Sequence, residues 1–451
     1  MALSRILGAA SLAVVALALV SVATSWSDDA DTRNSGLVVG SPSEVASAGG
    51  DGATTVAPSS TTPPTAAPAT SQPAAVSSTT TPAASPTSAA PAPTTSSTAP
   101  TTTTAPTVAA HVDRGRAAEL VFTGDIVPAA QLGELARHYG RLASIPADYA
   151  PMFARVASEV ATADVAICHL DSTAAIGGAV SGGSRHQVPD TLLTALASSG
   201  WDGCSLAAPS ALDNGEDGVA ASIAAMDAAG LKTAGLGASG VVGHARYSAD
   251  GIAVAHLAFT DTLEETAAGL VGLIDDEAII EAARAARIDG AEFVIVSLHW
   301  GTPFSGSVDD DQAALADALA ASGTVDLVIG HGTHLMQPID RVGDMWVVYG
   351  LGNFLTNQGP SCCPDAVEDG AVLHVEITDT AERVEISGMS ITPTWTNRVL
   401  MEVIPVVAGL DDGSFVAWQR AVMQRAYDRT EDALLARGAD EFGVGLTDQL
   451  G

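Results

Sequence analysis

From about Arg116 onward, short apolar runs alternate with alanine-rich helical segments, and that alternation leaves few architectures open. Strands are expected at 119–123 (ELVFT), 164–170 (DVAICHL), 202–207 (DGCSLA), 251–259 (GIAVAHLAF), 292–300 (EFVIVSLHW), 325–330 (VDLVIG), 346–352 (WVVYGLG) and 371–377 (AVLHVEI). Between most of them lie helical stretches such as PDTLLTALASSG, DGVAASIAAMDAAG, DEAIIEAARAARI and DQAALADALAAS. Several close at glycine, which readily takes the left-handed conformation that ends a helix. Continuously apolar strands separated by helices need cover on their faces, so the expected fold class is α/β. A domain of about 280 residues has ample core.

In such folds the loops after strands gather ligands over a rigid scaffold. Four strand ends here carry suitable groups: Gly124 and Asp125; His169 and Asp171; His299, Trp300 and Gly301; His331 and His334. Taken singly, each has a plain alternative. Asp125 or Asp171 would serve as a helix cap, and one strand-end histidine is commonly a hydrogen-bonded structural residue. Even with His169 set aside, three histidines and two carboxylates at equivalent positions are harder to dismiss together. Imidazole nitrogen with carboxylate oxygen suits Zn, Mn, Fe or related divalent ions.

The remainder of the chain is organised differently. Residues 27–112 are polar and of low complexity, with Ala, Ser, Thr and Pro dominating from about Ala53. Such a stretch buries too little apolar surface to offset the entropy of folding, so a disordered stalk is expected, O-glycosylated or bare. Ahead of it, one basic residue, Arg5, precedes the uncharged apolar run 6–23, long for a signal-peptide core and just long enough to span a bilayer. Residues 1–26 are therefore expected to be an export signal or a membrane anchor, giving a secreted protein or one at the outer face of the cell membrane.

The formal charge of −33 argues against a nucleic-acid partner, which would require a basic face. Four cysteines in an exported chain raise the question of disulfides. Cys168 and Cys204 are either buried thiols or a bridge between neighbouring strands, while the adjacent Cys362 and Cys363 are expected to be free or to pair elsewhere. After Trp395, residues 414–438 read as an amphipathic helix with Phe415, Trp418, Val422, Ala426 and Leu434 on the packing side. The expected organisation is thus 1–26, 27–112, a domain at 113–397, and a helical extension at 398–451 packed on it.

At its strand ends the chain resembles the CapA family of poly-γ-glutamate capsule biosynthesis proteins, whose domain looks like the calcineurin-type metallophosphoesterase fold. The ordered signatures are the GD of Gly124 and Asp125, HLD at 169–171 for an Asn-Leu-Glu, HWG at 299–301, GHGTH at 330–334 for a Gly-His-His-Pro-His, QPID at 337–340 and YGLGNF at 349–354. The resemblance implies a two-sheet α-β-β-α sandwich with one or two divalent ions. By position, Asp125 and His334 would belong to one ion, His299 and His331 to the other, and Asp171 would bridge. Asn353 and Phe354 would support the floor of the site.

The departures bear on activity. Where relatives carry Asn-Asn-His, this chain has Ala208, Pro209 and Ser210. The family's catalytic histidine position is therefore Ser210, which cannot act as an acid near neutral pH, and no catalytic residue is assigned. His169 stands in place of an asparagine as a further candidate ligand, and Gly332 in place of a histidine. Asp213 and Asn214 are expected to cap the following helix. Arg185 and His186 are weak candidates for binding an anionic substrate; His244, His256 and His374 are assigned nothing. Three functions stay open: an exported CapA-like protein that helps make, export or retain an anionic cell-surface polymer with little hydrolysis; an active metal-dependent phosphoesterase with a rearranged site; and a non-catalytic polymer-binding module.

Overall fold

The computed structural model describes residues 115–174 and 187–449, except 239, 262, 264–266 and 268. The leader or anchor expected at 1–26, the stalk expected at 27–112, and Arg185 and His186 lie outside the described residues. Among the described residues no helix is long and apolar enough to cross a membrane.

The principal strands are β1 (Ala117–Ile126), β2 (Val165–Leu170), β3 (Gly203–Ser205), β4 (Lys232–Ala234), β5 (Ala245–Ala249), β6 (Ile252–Thr260), β7 (Phe293–His299) and β8 (Leu327–His331). They continue with β9 (Met336–Val342), β10 (Met345–Leu351), β11 (Asn353–Leu355), β12 (Asp369–Asp379), β13 (Val384–Asn397) and β14 (Glu402–Pro405). The larger sheet runs β14, β13, β12, β1, β2, β3, β4, with β11 also paired to β1. From β1 to β4 its pairings are parallel. The second sheet runs β9, β10, β8, β7, β6, β5, parallel through its middle and antiparallel at both edges.

Side-chain alternation explains how the sheets stack. In β7, Phe293 and Ile295 enter a core shared with the larger sheet, whereas Val294, Val296 and Leu298 pack against helices α4 (Asp276–Ile288) and α5 (Asp310–Ser322). The same parity sends Leu327 and Ile329 of β8 inward and Val328 outward. Ser297, His299 and His331 share the inward parity, so the strand-end histidines project between the sheets. All six residues of β2 are buried, with α2 (Asp190–Ser198) and α3 (Gly215–Ala229) supplying apolar cover for that sheet. The architecture is the expected two-sheet α/β sandwich.

Several local expectations change. The strands β4, β5, β9, β11, β13 and β14 have no counterpart among the expected ones: Pro338 falls within β9, and Gly388 and Pro393 within β13, residues that disfavour a strand reading. Asn214 does not cap α3 with its side chain; its amide instead donates to Thr173 Oγ1 (2.9 Å) and accepts from Gln187 Nε2 (3.0 Å). Cys168 and Cys204 are directly opposed across β2 and β3 and form a disulfide. Cys362 and Cys363 are bonded to each other, contrary to expectation. Both of their amides donate to Gly359 O, at 2.9 and 3.0 Å, curling the chain into a turn that brings the adjacent side chains together.

The C-terminal helix, α6 (Ala417–Leu434), buries Met423, Ala426, Thr430 and Leu434, a spacing of three to four residues. Trp418 is 58% exposed and leaves the packing side to which it had been assigned. It lies five positions before Met423 and so on another face, while Phe415 fills the cluster with Trp395, Met423 and Ala426.

Candidate metal centre

Strand register assembles the site. Asp125 of β1 is paired on one side with His169 of β2 and on the other with Asn353 of β11, and His299 of β7 is paired with His331 of β8. Asp125, His169, His299 and His331 lie at or near the C-terminal ends of their strands, whereas Asn353 opens β11. His331 Nδ1 donates to Asp125 Oδ1 (2.9 Å), and the Gly332 amide donates to Asp125 Oδ2 (3.0 Å). These partners hold the Asp125 carboxylate inside the site, not on a helix terminus.

His334 takes a left-handed backbone, φ 56°, which turns its ring back over the strand end. Its Nδ1 lies 3.4 Å from Asp125 Oδ2 and 3.1 Å from Asn353 Oδ1. Asn353 in turn donates from Nδ2 to Val367 O (3.0 Å) and Gln358 Oε1 (2.9 Å), so it supports the floor as anticipated. His169 stacks on His331 with ring centroids 4.1 Å apart. Its Nε2 is 3.0 Å from His299 Nδ1 and its Nδ1 is 2.8 Å from Ser205 Oγ. Asp171 is half-buried at the edge of this group and accepts from Ser210 Oγ at 3.2 Å.

Gly332 is required by the packing of this site. Its φ is 91°, and a Cβ there would meet His299 Cδ2 at 2.5 Å and Nε2 at 2.6 Å. The histidine found at this place in the resembled family could enter only if His299 moved. Ala208 is fully buried and offers no donor, and Ser210 sits in a single helical turn, Pro209–Leu212.

The electrostatics follow from burial and contact. Burial alone would push the Asp125 carboxyl up, but hydrogen bonds from His331 and His334 outweigh it and hold the group well below the usual carboxylate range. Burial pushes His169 well below its ordinary value and lowers His299. Burial also acts downward on His334, yet its hydrogen bond and charge interaction with Asp125 keep it above its ordinary value. The pocket therefore combines a firmly anionic carboxylate with two rings held neutral.

Asp125, His169 and His331, all buried, each offer one ligand atom, and these atoms lie within 4.8 Å of one another. That donor set, one oxygen and two nitrogens, fits a divalent transition ion. The tightest cluster thus includes His169, and His331 shares Asp125 with His334. His299 joins through His169, and Asp171 is felt electrostatically by His299 and His334. His256 and His374 lie elsewhere, the former on Ser297 (2.9 Å), the latter on Glu119 (2.9 Å). Ser205 was not singled out from the sequence, although the alternation Cys204–Ser205 opposite Cys168–His169 marks the serine as a facing residue.

Residues 119–358, more than half of the chain, match the family described as bacterial capsule synthesis protein PGA_cap. The chain is 27% identical over 181 residues to the PGA biosynthesis protein CapA of Bacillus subtilis, covering 38% of this chain and 46% of that protein. It is 26% identical over 205 residues to the capsule biosynthesis protein CapA of Bacillus anthracis, covering 44% and 46%. It therefore spans just under half the length of these relatives. Among solved structures, the calcineurin-like phosphoesterase YfkN of Bacillus subtilis is similar over 70% of this chain and 98% of that one, at 12% identity and a TM-score of 0.40. With the match running unbroken from β1 to just beyond β11, this chain belongs to the bacterial capsule synthesis protein PGA_cap family.

Proposed function

We propose that the chain is an exported accessory protein that helps make, export or retain an anionic cell-surface polymer such as poly-γ-glutamate, through a metal centre with little hydrolytic power. The observation that carries this reading is the split condition of the site. Its buried cluster of Asp125, His169 and His331 offers three ligand atoms, while the proton-donor position is Ser210, whose hydroxyl is given to Asp171. A bound divalent ion would neutralise and orient an anionic oxygen of the polymer. Asp125, His169 and His331 would hold that ion, with His299 and His334 lining its approach. Missing an acid at the leaving oxygen typically forfeits about 10²- to 10⁴-fold in rate. Export is supported by the apolar run 6–23, with the Ser/Thr/Pro/Ala-rich stretch after it as a stalk.

The test is metal content and phosphoester turnover of the purified full chain. We expect tightly bound transition metal, lost in Asp125→Asn and His331→Ala, with negligible hydrolysis of p-nitrophenyl phosphate. Vigorous turnover abolished by His299→Ala or His331→Ala would overturn the accessory reading. It would favour the second reading, an active hydrolase, to which the position of His169 in the ligand cluster lends support because it supplies a nitrogen where Ala208 supplies nothing.

A further inference from the structure

Five non-glycine residues among those described have left-handed backbones: Ser144, Asp250, Phe304, His334 and Met401. Ser144 closes a helix, Asp250 precedes Gly251 in the turn between β5 and β6, and Met401 lies in the turn between β13 and β14. The other two face each other at the candidate metal centre. The ring centroid of Phe304 is 5.5 Å from that of His334, with a tilt of 37°.

Phe304 is 38% exposed, so burial does not account for an aromatic side chain here. Its φ of 63° is one that a bulky residue rarely takes. The conformation is held from several sides. The Phe304 amide donates to Thr333 O at 2.8 Å, and Gln337 Nε2 donates to Ser305 O (3.2 Å) and Ser307 O (2.8 Å). Gln337 is fully buried and is itself fixed by Gln312 Nε2, 2.9 Å from its Oε1. An unfavourable conformation over-determined by its surroundings, beside a polar centre, is characteristic of residues that contact a ligand.

We infer that Phe304 is a substrate-contacting residue that sets specificity, its exposed ring forming an apolar platform beside His334. This rests on the function proposed above. The platform receives the methylene groups of an acidic chain whose carboxylate would be drawn to a divalent ion held by Asp125, beside His334. An aromatic face attracts aliphatic C–H groups and repels carboxylate, so it selects an anion carried on a methylene span over a bare anion. A γ-linked glutamyl unit, with two methylenes between its carboxylate-bearing carbon and the next amide, has this form.

The test uses the full chain loaded with manganese, titrated calorimetrically with a γ-linked glutamate decamer and, separately, with inorganic phosphate. Phe304→Ala and Phe304→Gly are expected to weaken decamer binding about tenfold, the scale of one lost aromatic contact. Phe304→Tyr should stay within about twofold of wild type, and phosphate binding should be unchanged in all three. Phe304→Gly, which accepts a positive φ, should melt no lower than wild type, excluding misfolding as the cause. Decamer binding unaffected in Phe304→Gly overturns this inference alone. A parallel loss of phosphate binding also overturns it, because the variant would then have disturbed His334. A wild-type chain that binds phosphate but no decamer overturns the polymer reading as well.

Discussion

At the scale of single residues, the site is defined as much by what two positions lack as by its ligands. Gly332 leaves room for the His299 ring, and Ser210 leaves Asp171 without an imidazole neighbour on that side. Restoring the imidazole is a direct experiment, because Ser210 is only partly buried and Asp171 lies where it could orient a ring nitrogen. Ser210→His is expected to raise metal-dependent hydrolysis of p-nitrophenyl phosphate by about 10²-fold over wild type, the lower end of what a positioned acid contributes. Steady-state rates of the two proteins, compared at equal metal content, check this.

At the scale of elements, short parallel strands are pinned by cross-links. The Cys168–Cys204 bridge joins β2 to the three-residue β3 across a separation of 36 residues. It thereby holds Ser205 opposite His169. Replacing both cysteines by alanine is expected to cost about 3 to 4 kcal/mol, most of it from a freer unfolded chain, as read by urea unfolding. A second pin has a pH signature. His374 on β12 lies between Glu119 on β1 (2.9 Å) and Glu159 (3.5 Å). Burial lowers the pKa of His374, but the hydrogen bonds it donates to Glu159 and Glu119 outweigh that and raise it above 6.5. The unfolded chain keeps the ordinary histidine value, so this contribution is complete below about pH 6.5 and is lost as pH rises through the raised folded value. Urea midpoints should fall as pH rises above about 6.5 in wild type, and His374→Gln should flatten that slope.

At the scale of the whole molecule, the two sheets must stay in fixed relation for four strand ends to form one centre. The shared apolar core does most of this, and Arg116 adds a polar tie. Its guanidinium contacts Asp379 of the larger sheet (2.6 Å), Glu292 just before β7 (2.8 Å) and the carbonyl of Gly251 just before β6. Arg116→Ala is expected to destabilise the protein by about 1 to 3 kcal/mol, since it withdraws one cation shared by the buried Asp379 carboxylate and Glu292. Thermal melts of variant and wild type would read this; an unchanged midpoint would contradict it. Most of the layer order was visible in the sequence, because apolar runs such as FVIVSLH and VDLVIG between capped helices can be satisfied only when covered on both faces. The strand-end histidines and carboxylates were visible for the same reason, since a strand's end is a local property. Which of them meet was not: the Asp125–His169 and His299–His331 pairings depend on strand register, and Asp125–His331 depends on the stacking of two sheets. Phe304, Gln337 and Ser205 were passed over as site residues because their roles arise from contacts between distant segments and from a backbone angle. The sequence by itself determined strands β1 to β3, β6 to β8, β10 and β12, with the chemistry available at their ends, through local hydrophobic period and turn composition. Only the tertiary structure decided the partners, because register and sheet packing are set by the joint burial of residues hundreds of positions apart.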